Sequence, residues 1–181
     1  MRLRRFERHR PAEERRELVL SEEDLQAVLG ELRRLRTRVP QLTGALAAGV
    51  DGLVVAHDTP GVDAEGVAAL TAAALGVAVR LADTTGNGGF RELLVRGEYG
   101  YLATYAAGRT AVLTLLAQDR VNVGRLHLEG RRAGSQIGKL LDAAEETARA
   151  APPVTRTTPA RTRTTRGPRT TASEAHTTTD S

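Results

Sequence analysis

The chain has 181 residues, an apolar fraction of 40%, five aromatic side chains and neither cysteine nor tryptophan. That length suits one domain with extensions, and the missing cysteine excludes a disulfide framework, a zinc ribbon, a thiol nucleophile and an iron–sulfur cluster. Charge is uneven: residues 1–38 hold eleven basic and eight acidic side chains, 39–150 ten and twelve, and 151–181 five and two, so the basic excess belongs to the ends. No run of about 18 apolar residues stands out, and the arginine-rich first seventeen residues lack the apolar core of a secretory signal. The composition predicts a soluble, cytoplasmic protein with no metal, cofactor or membrane insertion.

Residues 1–17 read as a flexible, polar and basic lead-in, and residues 18–150 as the folded domain. Ser21, followed by Glu22, Glu23 and Asp24, has the pattern of a capping box with acids in the first helical turn. Leu25, Val28, Leu29, Leu32 and Leu35 then recur at helical spacing, and Pro40 ends that helix. Two apolar runs, 42–50 and 53–57, flank Asp51-Gly52, which suits a two-residue hairpin turn. Asp63 stands where a second helix would be capped, running to about Ala82.

Three further strands follow at 90–96, 99–106 and 110–117, joined through Gly97, Gly100 and Gly108. The last of them is apolar on both alternating faces, as a central strand covered on both sides would be. A final helix fills 123–150, with Ile137, Leu140, Leu141 and Ala144 on one face. Short connections make the sheet antiparallel. The expected fold is α+β, a five-stranded antiparallel sheet with helices on both faces. Residues 151–181, with eleven threonines, five arginines and four prolines, are expected to be disordered.

The second helix has no charged side chain between Glu65 and Arg80. Val67, Leu70, Ala74, Val77 and Leu81 form one face, taken here as the face that docks on the sheet. Ala68, Ala72, Leu75, Gly76 and Val79 form the other, which a simple surface helix would make polar. Those five, with Phe90 at the start of the third strand, are the candidate dimer or partner interface.

Element order and local sequence together resemble the roadblock/LC7 family in its bacterial branch. The resemblance rests on Val39-Pro40, on Gly44-Ala45-Leu46 leading into Val50-Asp51-Gly52-Leu53-Val54-Val55-Ala56, and on Asp63-Ala64-Glu65. It continues through Glu98-Tyr99-Gly100-Tyr101-Leu102, the run from Ala111 to Ala117, and Asn122-Val123-Gly124, covering about residues 25–148. It implies a non-catalytic homodimer, joined through sheet edges and second helices, that binds or regulates a Ras-like small GTPase, often alongside a sensor kinase. The glycine loop Gly86-Asn87-Gly88-Gly89 and the Arg/Thr tail are departures from the family pattern.

Other chemistries fit less well. The glycine loop runs from helix into strand, the wrong order for a phosphate cradle. The segment from Gly134 to Lys139 lacks the spacing and the hydroxyl of a P-loop. Only four serines exist, none placed beside a base, so no catalytic residue is named. Tyr99, Tyr101 and Tyr105 share strand parity, which could serve base stacking but suits packing better in a neutral-to-acidic domain. A scaffold of a kinase–GTPase complex without effect on turnover is the second reading. A nonspecific nucleic-acid adaptor working through basic termini is the third. Thr157, Thr164 and Thr170, each following an arginine, are candidate phosphorylation sites.

Overall fold

A computed structural model describes residues 20–150. The lead-in, the tail and the three candidate threonines therefore lie outside the described residues. Helix α1 (Glu22–Arg38) opens with the expected capping box: Ser21 Oγ accepts from the Asp24 amide at 3.1 Å, and Asp24 Oδ2 accepts from the Ser21 amide at 3.1 Å. Strands β1 (Leu42–Gly49), β2 (Val54–Asp58), β3 (Glu92–Arg96), β4 (Gly100–Ala107) and β5 (Ala111–Gln118) form one antiparallel sheet of order β2-β1-β5-β4-β3. Helix α2 (Ala64–Thr84) connects the two edge strands, and α3 (Val123–Ala150) ends the described residues.

Strand β5 occupies the centre, as its doubly apolar pattern requires. On one sheet face Ala45, Ala47, Tyr105, Leu113 and Leu115 pack with Val28, Leu32 and Leu35 of α1 and with Leu126, Ala133, Ile137 and Leu141 of α3. On the other face α2 covers Leu46 and Ala48 through Ala68. Helix α3 reaches β4 closely because Gly130, Gly134 and Gly138 recur every four residues on its inner side. A Cβ at Gly130 would overlap the Tyr105 ring, and one at Gly138 would overlap the Gly108 backbone nitrogen. At Gly134 it would lie 2.8 Å from the Ala106 carbonyl oxygen.

Four local expectations need correction. The β1–β2 connection is four residues long, not two: Gly49 N donates to Leu53 O at 2.8 Å, and Asp51 Oδ1 accepts from Leu53 N at 3.2 Å. Asp63 occupies the cap position of α2 without a side-chain capping bond. Tyr99 lies in the β3–β4 turn, ahead of β4, so it does not extend the row of Tyr101 and Tyr105. Finally, α2 is by length and composition apolar enough to cross a membrane, because its alanines add to its few large apolar residues. In this fold one side of that helix is docked on the sheet.

Candidate interaction surface

The orientation of α2 differs from that expected: of the large side chains on the expected docking face only Val67 packs inward, against Leu46 and Ala48. Ala64, Ala68, Thr71 and Leu75 are its buried residues, and they face the sheet. Leu70, Val77 and Leu81 point away from it, 73%, 60% and 61% exposed. Approach is close at the first half of the helix: a Cβ added to Gly52 of the β1–β2 turn would lie 3.2 Å from the Ala69 Cα and 3.4 Å from the Ala72 Cβ. Small side chains are what such proximity admits at Ala68 and Ala72.

The candidate residues consequently separate. Ala68 and Leu75 are buried against the chain's own sheet, Ala72 and Val79 are half-buried beside them, and Gly76 is exposed on the helix flank. Phe90 is half-buried just before β3. Steps of seven and four residues align Leu70, Val77 and Leu81 on one stripe. The sequence pattern alone assigns these three to the sheet. Only their size could have marked them, because no charged residue distinguishes the two sides.

Strand β3 adds to this surface. Among the described residues it pairs with β4 on one side only, which leaves its other backbone edge open. Its register puts Leu93 opposite Thr104 and Val95 opposite Leu102, on the sheet face that carries α2. Val95 is 49% exposed there. Among the described residues, the outer stripe of α2 and the edge of β3 are thus two features of an unfilled interface.

The opposite face of β3 is held by charge. Arg131 of α3 donates from Nε and Nη2 to the two carboxylate oxygens of Glu92, at 2.7 and 2.8 Å. His127 Nδ1 lies 3.5 Å from Glu92 Oε1 and 3.2 Å from the Tyr105 hydroxyl. The Arg131 hydrogen bonds hold the Glu92 carboxyl below its ordinary range, and burial pushes the Tyr105 phenol up. This cluster fixes the edge strand to α3. Among the described residues, no group of three or more His, Asp or Glu side chains is placed to hold a metal ion. His57 meets Thr59 Oγ1 through Nδ1 at 3.0 Å, and Ser21 is engaged in the α1 cap.

Known proteins share this architecture. The Roadblock/LC7 domain profile matches residues 28–117. The uncharacterized protein MJ0714 of Methanocaldococcus jannaschii is 36% identical over 101 residues, which cover 55% of this chain and 85% of that protein. Among solved structures, the gliding protein MglB of Thermus thermophilus aligns with a TM-score of 0.64 at 23% identity, over 69% of this chain and 96% of its own. A Roadblock/LC7 domain from Streptomyces avermitilis gives 0.52 at 22% identity, over 67% and 97% respectively. At these identities the two structures speak for the fold.

Proposed function

The chain belongs to the Roadblock/LC7 domain family, and on that premise we propose that it is a non-catalytic adaptor or regulator that works as a homodimer and binds a Ras-like small GTPase in bacterial signalling. The observations that carry this reading are the outward stripe Leu70–Val77–Leu81 and, among the described residues, the open edge of β3. Burying a large aliphatic side chain is worth about 1.5–3 kcal/mol, so three left in water on one stripe favour association strongly. A two-fold pairing would place the stripes of two copies together and join their β3 edges, a self-complementary contact of the kind closed dimers use. The GTPase is the partner class that the family resemblance implies, and the chain's part is to bind and position.

The test uses the full-length chain and its Val77→Glu variant. Wild type should elute as a dimer by light scattering, and the variant as a folded monomer with unchanged circular dichroism. Wild type used as bait in the native lysate should recover a small GTPase, whose hydrolysis rate is then measured with and without the purified chain. A changed rate identifies a regulator, and binding without a change identifies a scaffold. A Val77→Glu chain that stays dimeric rejects the stripe as the interface. Recovery of nothing but the bait's own copies rejects the GTPase.

A further inference from the structure

Helix α3 has a second exposed face that its packing leaves unused. Arg125, Leu128, Arg132 and Lys139, separated by three, four and seven residues, fall on one line opposite the buried Leu126, Ala133, Ile137 and Leu141. All four are exposed, Leu128 by 65%. The line spans about 21 Å at the helical rise per residue. The two carboxylates nearest its first half are engaged elsewhere. Glu129 accepts from Arg38 Nε at 2.7 Å, and Glu92 is held by both forks of Arg131.

Among the described residues, the side chains of Arg125, Arg132 and Lys139 have no ion-pair partner. On the neighbouring α1, Arg33 is exposed in the same condition, and Arg34 only approaches Glu31 at 3.6 Å. Between Arg125 and Lys139 the one acid of α3, Glu129, thus turns into the helix layer and the cations turn out around one leucine; Glu146, farther along the same line, is exposed 4.0 Å from Arg109.

We infer that this α1–α3 face docks on an anionic lipid surface, with α3 lying flat and Leu128 entering the headgroup boundary. A straight cationic row needs only a plane of negative charge, and each basic side chain near such a plane adds to the attraction. An apolar residue among the cations is the feature of helices that lie in an interface. A nucleic-acid backbone would leave Leu128 unused, and the face has no aromatic side chain on which bases could stack. A protein partner would need a packed apolar pocket to receive an anchor, and Leu128 is the one large apolar side chain exposed on α3. The inference needs neither the dimer nor the GTPase.

The experiment is co-sedimentation of the full-length chain with vesicles of phosphatidylserine and phosphatidylcholine, against vesicles of phosphatidylcholine alone. The chain should bind the anionic vesicles and lose that binding as salt is raised. The double variant Arg125→Glu/Arg132→Glu, checked for folding by circular dichroism, should bind at least about tenfold more weakly. Leu128→Ser should weaken binding severalfold with the same salt slope. A second double variant, Arg161→Glu/Arg163→Glu, separates the tail's charge from that of the helix and should keep most of the binding. Equal sedimentation of wild type and the α3 double variant would overturn the inference, as would equal binding to neutral vesicles. Binding to duplex DNA that the α3 variant abolishes, without vesicle binding, would assign the face to nucleic acid instead.

Discussion

Glu92 is the residue on which edge strand and helix meet. Its carboxylate takes two hydrogen bonds from Arg131, and these hold its pKa below the ordinary 4.5. A carboxyl with a depressed folded-state pKa stabilises the fold at pH values above its unfolded pKa, and that contribution disappears as pH falls through the folded value. Glu92→Gln should therefore be less stable than wild type at neutral pH, and the two should converge as pH falls below the ordinary carboxylate range. Urea denaturation across that range checks it. Arg131 is largely exposed, so added salt should shrink the neutral-pH difference. Arg38 forms a similar tie on the other flank of α3, donating to Glu31 and Glu129, both at 2.7 Å.

At the scale of elements, the glycine row of α3 sets how near that helix lies to β4. Gly138→Ala would press a methyl group into the Gly108 backbone, which has no flexible end to move aside. The expected loss is about 1–3 kcal/mol, the usual cost of overpacking. Gly30→Ala in α1, where a Cβ meets nothing within 4 Å, should instead gain about 0.5–1 kcal/mol from helix propensity. Denaturant midpoints of the two variants, read against wild type, test the contrast.

Much of this layer was legible in the sequence. Ser21 and Asp24 announce the cap of α1, and the alternation-free run from Ala111 to Leu116 announces a central strand. The facing of α2 was not legible. With no charge between Glu65 and Arg80, periodicity defines two apolar sides and gives no sign of which is wet. The β1–β2 turn, at Gly52, packs on that helix beside Ala68, Ala69 and Ala72. That turn is distant in sequence from the residues it meets. The residues on the outer line of α3 were visible as letters, but only the pairing of Glu129 with Arg38 and Glu92 with Arg131 reveals that Arg125, Arg132 and Lys139 have no ion-pair partner among the described residues.

For the whole molecule, the proposed dimer makes stability a property of concentration. A partner that binds only the folded chain raises the unfolding temperature by mass action. The melting temperature of wild type should climb by several degrees over a hundredfold rise in protein, and that of Val77→Glu should stay flat. Differential scanning calorimetry at the two extremes decides it. A wild-type melting temperature that does not move with concentration argues against the dimer.

The two sides of the sheet are unlike. Strand β2 closes one side as a five-residue strand: its pairing with β1 is interrupted by a register shift between Ala47 and Ala48, and Asp58 is bound 2.8 Å from Arg36. Such irregularity and charge are how proteins keep an edge from recruiting another strand. Strand β3, at the other side, has no strand on its outer edge among the described residues. Joining two chains through β3 consumes that edge in both and leaves only guarded ones outward. Growth by strand addition is thereby self-limiting: the molecule can pair, but along this route it has no means of continuing into a fibre.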